Sequence, residues 1–511
     1  MSAPLAISAL NRSALLKAAV GILLCVLGFF LAHQESYEVR TVLATAGGCN
    51  MPTDIYEARS GTPVGSVVLF HGLSANKKVM AFSAQEFVNQ ELRVFVPDLP
   101  GHGKTPGPFS PGRVETCADA LVRDLAARKA VIPERTILAG HSMGGAIAAR
   151  VAAGIPVAGV IAISPAPMHP APGVAAELLL FPTPPVLAAH ALVLSAEWEP
   201  AAIRQIAQDL VAKSTNTSIK YEVIPRTTHV SILFAPATFD AIRSWTSNIL
   251  GTDPAAPFPK NMPQLGCLIG LLGLVILSPP FLREMTASAS NQSAPDCSAP
   301  IPFLRTALSL AIFSVIAVVL LRFVVPFHFL HIFQGDYLAS FLFIVGVATL
   351  ALHRQFLPRL NSFFTKITAS AAAAAVLIIL LFGAWFELTF YEAWLTPTRW
   401  LRFPILFLAL LPWHLAEELF LDSRSGSPRF RGLVHFLAFR GILWLILVGA
   451  IFYLHSGQFA FVLLILYFAL FSILQRLATD VIRVQTRSTP AAAIFGAILL
   501  AGFVLAILPI A

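Results

Sequence analysis

Nine long apolar runs constrain what this chain can fold into more than any other feature of its sequence. One lies near the N-terminus and eight follow residue 264, and each is about twenty residues long, the length of a helix that crosses a bilayer. Because lipid offers no partners for backbone polar groups, such runs predict membrane-spanning helices. The runs are Ala14–Ala32, Leu265–Leu282, Thr306–Val325, Tyr337–His353, Thr368–Leu388, Trp400–Leu421, Val434–Leu454, Phe459–Leu477 and Pro490–Ala511.

The composition agrees with a membrane protein. The chain is 56% hydrophobic and only 12% charged, whereas an ordinary soluble domain carries about a quarter charged residues. The apolar excess lies outside residues 36 to 255. The first run could instead be a signal peptide, but Phe29–His33 is a poor cleavage site, which favours an uncleaved anchor.

Basic residues collect in alternate loops, which predicts an orientation because cytoplasmic loops are rich in Lys and Arg. With the N-terminus inside, the outer loops carry few bases, mainly Arg399 and Arg402. We therefore expect an integral membrane protein whose segment 36–252 lies outside, on the periplasmic face of the inner membrane if the chain is bacterial. The inside bases account for the net charge of +8 and leave no argument for a nucleic-acid partner. They are Arg12, Lys17, Arg283, Arg305, Arg354, Arg359, Lys366, Arg424, Arg429, Arg431, Arg476, Arg483 and Arg487.

Residues 140–144 read Gly-His-Ser-Met-Gly, between the apolar run 135–139 and a stretch of small residues from Gly145 to Ala153. This is a G-x-S-x-G motif in a strand–turn–helix context. A sharp turn lifts the serine oxygen above a sheet, and the flanking glycines allow that turn without a side-chain clash. The pattern predicts Ser142 as a nucleophile; the alternative is a small residue at a tight turn.

Two turns that follow apolar runs lie upstream of this motif. Residues 66–70 end in His71-Gly72-Leu73-Ser74, and residues 94–97 lead into Asp98-Leu-Pro-Gly-His-Gly. The first resembles the oxyanion loop of α/β-hydrolases, and the second resembles the loop after their fourth strand, which shapes the site. The resemblance implies that the backbone amides of Leu73 and Met143 hold the developing negative oxygen.

The same resemblance implies a base and an acid downstream. The family has its general base on the loop after the last strand, and here His229 follows the strand-like run 219–224. The acid is expected after the penultimate strand, where the family usually has Gly-x-x-Asp-Pro. This chain departs from that pattern, with Glu199 before Pro200 and Glu197 as the second choice, but glutamate can orient a histidine as aspartate does. The other histidines near these motifs are expected to be structural or to line the site: His71, His102 and His141.

The order of predicted elements resembles the same fold. Runs rich in β-branched residues alternate with helical segments, Val114–Lys129 and Ala201–Lys213 among them, which predicts a mostly parallel sheet covered by helices on both faces. Strands are predicted near Tyr37–Leu43, Thr53–Arg59, Ser66–Phe70, Val94–Val96, Thr136–Ala139, Val160–Ile163, Ala191–Leu194 and Ile219–Ile224.

We therefore interpret residues 36–252 as an α/β-hydrolase domain, similar to the monoacylglycerol-lipase-like and serine aminopeptidase-like groups. The resemblance covers about 40% of the chain. Residues 1–35 are predicted as an N-terminal transmembrane anchor, 253–264 as a Pro-rich linker and 265–511 as a multi-pass transmembrane domain of about eight helices. No family resemblance covers this last region.

The resemblance implies a serine hydrolase that cleaves a carboxylic ester through an acyl-enzyme, for which neither a metal nor a cofactor is needed. The insertion Pro165–Pro185 is apolar and resembles a minimal lid, with a surface loop packed on the core as the alternative. This insertion and the membrane tethers at both ends of the domain favour an ester or lipid substrate over the substrates of a serine aminopeptidase. Hydrolysis or acyl transfer and the protein partners stay open.

Two of the five cysteines, Cys49 and Cys117, lie in the predicted exported domain. They could form a disulfide in an oxidising compartment, although the sequence leaves their separation open. Cys25 and Cys267 lie in predicted spans, and no cysteine has the spacing of a metal site.

Charged residues inside the predicted spans admit a second class of function. His414 lies one helical turn from Glu417 and Glu418, which is compatible with an ion or lipid head-group site. The alternative is that both glutamates reach the interface or pair with Arg424. The competing hypothesis is a multi-pass transporter, sensor or scaffold whose hydrolase domain is accessory or inactive. Two more acidic residues lie toward the outer end of their span: Glu387 and Glu392.

Overall fold

The structure is a computed structural model that describes residues 12–34, 37–166, 190–212, 218–287, 302–325, 328–422, 429–454, 458 and 460–511. These residues form an α/β domain between residues 37 and 250 and a helical domain from residue 262 onward. The predicted lid, Pro165–Pro185, lies outside the described residues from residue 167 on.

The α/β domain is built on one eight-stranded sheet with the order β1-β2-β4-β3-β5-β6-β7-β8. The strands from β3 onward pair in parallel, and β2 pairs antiparallel with β1 and β4. This confirms the predicted mostly parallel α/β fold. The strands are β1 Tyr37–Ala46, β2 Cys49–Ala58, β3 Gly65–Phe70, β4 Leu92–Pro97, β5 Thr136–His141, β6 Gly159–Ile163, β7 Ala191–Ala196 and β8 Ile219–Ile224.

Helices cover both faces of this sheet. Successive residues of a strand point to opposite faces, and in the central strands both sets of side chains are apolar and are buried by helices. On one face Val68 packs with α3 (Pro111–Ala127) and α4 (Met143–Ala152). On the other face Leu69 packs with α2 (Ala81–Asn89) and α6 (Pro236–Leu250). The central strands are therefore buried on both sides, which explains why they read as continuous apolar runs rather than as alternating ones. A fifth helix, α5, spans Ala201–Ala212.

Strand register determines which turns meet at the edge of the sheet. Phe70 pairs with Gly140 across β3 and β5, so the turns after these two strands lie side by side. Ser195 pairs with Val223 across β7 and β8, which brings their following loops together in the same way. On the α3 side, Cys49 and Cys117 form a disulfide with their Cα atoms 5.8 Å apart, which ties β2 to α3.

Within the described residues, nine helices are long and apolar enough to cross a membrane. Each overlaps one of the nine predicted runs. They are α1 Arg12–Ala32, α7 Met262–Thr286, α8 Phe303–Phe323, α9 Gly335–Leu352, α10 Lys366–Thr389, α11 Pro397–Asp422, α12 Arg429–Tyr453, α14 Ile465–Thr486 and α15 Thr489–Ile507; α13, Ala460–Leu463, is short.

The N-terminal helix α1 packs closely against α7 through glycines on both helices. A Cβ added to Gly28 would lie 2.5 Å from the backbone nitrogen of Gly270, and one added to Gly273 would lie 2.6 Å from the carbonyl oxygen of Gly21. Small residues at such a contact allow two helix backbones to approach. Helix α1 therefore packs as part of the helical domain.

The predicted bounds of the eighth run, Phe459–Leu477, differ from those of α14, which continues to Thr486. The reason is that polar residues in its second half are buried inside the bundle, where they find partners. Gln475 donates to the carbonyl oxygen of Gly496 at 2.7 Å, and Arg476 pairs with Glu418 and Asp480. Hydropathy treats such residues as exposed to lipid and ends the span too early.

The structure surrounds Glu417 and Glu418 with partners that the sequence did not indicate. Both side chains are almost fully buried in the helical domain. Glu417 accepts two hydrogen bonds from Arg440, at 2.8 and 2.9 Å, and Glu418 pairs with Arg476. Helices α12 and α14 bring these arginines to the same depth, which the sequence of α11 alone does not reveal; Arg424 lies outside the described residues.

Candidate active site

Ser142 occupies a strained turn between β5 and α4. Its φ of 54° and ψ of −118° lie where residues with a side chain rarely occur, and such strain is typical of functional positions. The turn needs its glycines. A Cβ on Gly140 would lie 2.3 Å from the carbonyl carbon of Gly144, and one on Gly144 would lie 2.2 Å from the carbonyl oxygen of Phe70. The motif therefore has the backbone of a nucleophile turn at the carboxyl edge of the sheet.

The two predicted oxyanion donors belong to the loop after β3 and to the start of α4, and both segments adjoin the serine turn. Gly72 touches the turn: a Cβ built on it would be 3.2 Å from the Cβ of Ser142 and 3.1 Å from Nδ1 of His141. The amide of Leu73 follows directly in that loop. Met143 is the first residue of α4, so its amide belongs to the positive N-terminal end of a helix.

His229 and Glu199 meet at the end of β7 and β8. Nδ1 of His229 lies 2.5 Å from Oε1 of Glu199, whose side chain is completely buried. The other carboxylate oxygen of Glu199 accepts the amide of Ala196 at 3.2 Å. Glu197 is exposed and instead accepts the backbone amide of Arg226 at 2.6 Å. Of the two glutamates, the structure thus brings Glu199 to the imidazole.

His141, the residue before Ser142, holds the backbone of the loop that carries His229. Its Nε2 donates to the carbonyl oxygen of His229 at 2.7 Å, and the two rings lie 4.9 Å apart. Burial, together with the charge of a protonated His229, lowers the pKa of His141 to about 3. A neutral imidazole with a proton on Nε2 fits this contact, so His141 links the serine turn to the histidine loop.

His71 connects the predicted oxyanion loop to the loop after β4. Its Nε2 accepts the amide of Leu99 at 3.0 Å, and its Nδ1 donates to the carbonyl oxygen of Gly72 at 2.9 Å. Complete burial lowers the pKa of His71 to about 4, which keeps the ring neutral at pH 7. His102, in the second loop, contacts the carbonyl oxygen of Pro100 at 3.0 Å through its Nδ1.

The sequence did not predict that the helical domain contacts these same loops. The hydroxyl of Tyr391 donates to the carbonyl oxygen of Ser74 at 3.0 Å. Nζ of Lys77 lies 3.0 Å from Oδ2 of Asp98 and also pairs with Glu392. Glu392 was noticeable only as an acidic residue at the end of a span, and nothing in the sequence indicated Lys77 as its partner.

The C-terminal residues of the chain contact the loop after β4. The amide of Ile510 donates to the carbonyl oxygen of Gly101 at 3.2 Å, and the amide of Phe109 donates back to Ile510. The buried guanidinium of Arg399 donates to Gly101 at 3.1 Å and to the carbonyl oxygen of Leu508 at 2.8 Å. The helical domain therefore contacts both the loop after β3 and the loop after β4. In the part of the chain that the structure describes, no three His, Cys, Asp or Glu side chains are grouped to hold a metal ion.

Comparison with known proteins agrees with this geometry. Residues 67–289 match the model of the alpha/beta hydrolase family, and no curated protein matches the chain.

Solved structures similar to this chain include EstE1, a thermophilic carboxylesterase from a metagenomic library, at 19% identity and a TM-score of 0.35, covering 46% of this chain and 97% of that one. Another is an alpha-beta serine hydrolase homologue from Coxiella burnetii, at 17% identity and a TM-score of 0.34, covering 41% and 96%. A third is TT1662 from Thermus thermophilus, at 19% identity and a TM-score of 0.33, covering 41% and 98%. By its sheet topology and by the family match over residues 67–289, this chain contains an α/β-hydrolase domain.

Proposed function

We propose that the protein is a membrane-embedded serine hydrolase that cleaves a carboxylic ester, with Ser142 as nucleophile, His229 as base and Glu199 as acid. The observation that carries the proposal is the hydrogen bond between His229 and a buried Glu199, beside a serine held on a strained turn. A nucleophile, a base and a group that orients the base are the parts of a catalytic triad.

These proposed roles give the following chemistry. Glu199 accepts a hydrogen bond from the Nδ1–H group of His229, which keeps the proton on Nδ1 and leaves the lone pair of Nε2 available to take the Ser142 proton. The serine oxygen attacks the ester carbon, and the carbonyl electrons move to oxygen, where the amides of Leu73 and Met143 stabilise the charge. When the intermediate collapses, the alcohol leaves with the proton from His229. Water, activated by the same histidine, then releases the acid.

A test by substitution separates the nucleophile from other buried serines. Ser142→Ala should remove essentially all hydrolysis of p-nitrophenyl esters by the purified full-length protein. Ser195 is also buried and lies on β7, so Ser195→Ala is a matched control that should keep most of the activity. Equal activity of Ser142→Ala and the wild type would show that the hydrolase domain works in another way or is inactive.

We further propose that the nine apolar helices cross a membrane and that the hydrolase domain lies outside, with the N-terminus inside. The length of the helices supports the first part. The contacts of Tyr391, Arg399 and Ile510 with the hydrolase loops support the outer location of the hydrolase domain. These residues lie at the ends of α10, α11 and α15 that are predicted to face outward.

The substrate proposed is an ester with an apolar acyl group, such as a lipid, because the domain is held at the membrane surface by α1 and α7. Burying each methylene contributes about 0.8 kcal/mol. If three of the six methylenes added between acetyl and octanoyl esters are buried in the transition state, kcat/KM should rise about 50-fold. A flat chain-length profile with efficient cleavage of aminoacyl-p-nitroanilides would instead indicate a serine aminopeptidase.

The competing proposal is a transporter, sensor or scaffold with an inactive hydrolase domain. It draws on the buried charges of α11, but those groups are matched: Glu417 faces Arg440, and Glu418 faces Arg476. Buried glutamates that each face an arginine favour a structural role in the bundle. The hydrolase therefore remains the better supported function.

A further inference from the structure

The helical domain contains a cleft of about 1030 Å³ between α1, α7, α10, α14 and α15. It runs along α14 from Tyr467, near the end that faces the hydrolase domain, to Arg483, near the opposite end. At a rise of 1.5 Å per residue, this stretch of α14, and the cleft beside it, is about 24 Å long. This is most of the roughly 30 Å hydrocarbon thickness of a bilayer.

The walls of the cleft are apolar along most of its length. Aromatic side chains line it from α10, α14 and α15, among them Phe382, Phe386, Phe471 and Phe503. The half of the cleft remote from the hydrolase domain is different, because four cationic side chains line it. They are Lys17, Arg283, Arg476 and Arg483.

These cations are only partly neutralised. Arg476 is buried and pairs with Glu418 and Asp480, and Arg483 approaches the same Asp480 at 3.4 Å. Nε of Arg483 is buried with no hydrogen-bond partner among the described residues. Within those residues, neither Lys17 nor Arg283 has a carboxylate within 4.0 Å. Among the described residues at this end of the cleft, four cations therefore face two carboxylates, and their summed charge is positive.

We propose that this cleft binds one anionic glycerophospholipid. Its phosphate would lie at Lys17, Arg283 and Arg483, and its acyl chains along the aromatic wall. The charge of the rim and the apolar length of the cleft complement an anionic head group joined to long chains. The proposal depends on the membrane location proposed above but not on catalysis by Ser142.

In this pose the lipid is held but not cleaved. The ester bonds of a glycerophospholipid lie next to its phosphate, so they are at the end of the cleft remote from the hydrolase domain. About 24 Å of cleft then separates them from the end that faces the hydrolase domain. The site is thus separate from the catalytic site and gives the helical bundle a binding function in addition to anchoring.

The first experiment measures head-group selectivity by native mass spectrometry of the delipidated full-length protein in detergent. The probes are phosphatidylglycerol and phosphatidylcholine with identical acyl chains. We expect phosphatidylglycerol to bind at least tenfold tighter. Each cation changed to Gln should weaken its binding roughly fivefold, and the triple variant Lys17→Gln, Arg283→Gln, Arg483→Gln about 100-fold.

A matched control uses exposed bases that are predicted on the same side but do not line the cleft. Arg354 and Arg359 lie between α9 and α10, and changing both to Gln should leave the affinity for phosphatidylglycerol within about twofold of wild type. If this double variant weakens binding as much as the triple variant, general surface charge explains the selectivity and the proposal is wrong. Equal affinity of the wild type for both lipids would also overturn it.

The second experiment fills the cleft. Gly383 lines it, and a Cβ added there meets no atom within 4 Å, so Gly383→Trp should project into the cleft without disturbing the helices. We expect at least tenfold weaker binding of both lipids. Gly449→Trp in α12 is the control, since a Cβ there is equally free but does not line the cleft. Lipid binding that survives Gly383→Trp would exclude this site. Ser142→Ala should leave the affinity for both lipids unchanged, because the proposed site does not depend on catalysis.

Discussion

Lys77 of the hydrolase domain forms a buried ion pair with Glu392 of the helical domain. The same ammonium lies 3.0 Å from Asp98, so one cation serves two carboxylates. Burial alone would lower the pKa of Lys77, but the charges of Asp98 and Glu392 raise it above its usual value. Burial and the neighbouring Asp98 raise the pKa of Glu392 to about 7. This contact joins the two domains next to the predicted oxyanion loop.

We predict that Lys77→Met reduces ester hydrolysis at least tenfold. The change leaves two buried carboxylates facing each other, and breaking a buried pair in this way costs about 3–5 kcal/mol. The loop that carries Leu73 should then lose its fixed position. Activity is measured on a p-nitrophenyl ester, together with the thermal unfolding midpoint of the full-length protein.

The control for this change is Asp119→Asn, which breaks an exposed ion pair with Arg123 on α3. Exposed pairs contribute about 0–1 kcal/mol, so activity and stability should hardly change. If Lys77→Met behaved like Asp119→Asn, the docking of the two domains would have no part in forming the active site.

A second prediction concerns the acid of the triad. Glu199→Gln should reduce kcat far more than Glu197→Gln, because the Glu199 carboxylate contacts Nδ1 of His229, whereas Glu197 contacts a backbone amide on the surface. Loss of the orienting acid cost about 10⁴ in kcat in the best-studied triad. The two variants are matched in chemistry, and steady-state kinetics compares them directly. A larger loss for Glu197→Gln would reassign the acid.

The third prediction concerns stability at acid pH. The pKa of His71 is about 4 in the folded protein, well below its usual value near 6.5, because the ring is buried. As the pH falls, the unfolded chain therefore binds the proton before the folded protein does. The contribution of His71 to the free energy of unfolding is complete above pH 6.5 and is lost as the pH falls toward 4. The expected loss in the free energy of unfolding is about 3 kcal/mol.

Thermal unfolding midpoints between pH 4 and pH 8 measure this effect. His71→Gln should flatten the decline below pH 6.5, even though it lowers the midpoint at pH 8 by disturbing the hydrogen bond from Leu99. His33 is exposed at the end of α1, and His33→Gln is the matched control that should leave the profile unchanged. The same slope in wild type and His71→Gln would contradict the prediction.

A fourth prediction tests the orientation in the membrane. Ser60 is exposed in the hydrolase domain and Gln355 is exposed between α9 and α10. Ser60→Cys should react with a membrane-impermeant maleimide in intact cells, after permeabilisation of any outer membrane, whereas Gln355→Cys should react only in lysed cells. The opposite pattern of labelling would put the hydrolase domain in the cytoplasm.

The elements of the hydrolase domain were predictable because each carries a local signal. The buried strands read as apolar runs, and the turn at Ser142 requires glycines on both sides, a constraint visible in the sequence. The order of strands then follows from the resemblance to a known fold. The sequence alone did not distinguish Glu199 from Glu197 as the acid. The turn after β7 determines which of these two side chains, two residues apart, reaches His229.

Contacts between distant segments were not predictable in the same way. Lys77 and Glu392 are far apart in the chain, and each alone looks like an ordinary charged residue near a loop. The arginines that pair with Glu417 and Glu418 lie on other helices, and no periodicity within α11 identifies them. Such pairs arise from the packing of whole helices, which hydropathy and motifs do not specify.

The most direct test of the central claim is the reaction of the protein with a fluorophosphonate, which forms a covalent adduct with an activated serine. We predict one adduct per chain, located on Ser142 by peptide mass spectrometry, absent in Ser142→Ala and at least 100-fold slower to form in His229→Ala. A folded wild-type protein that is not labelled, or is labelled at another serine, would contradict the claim that Ser142, His229 and Glu199 form a working triad.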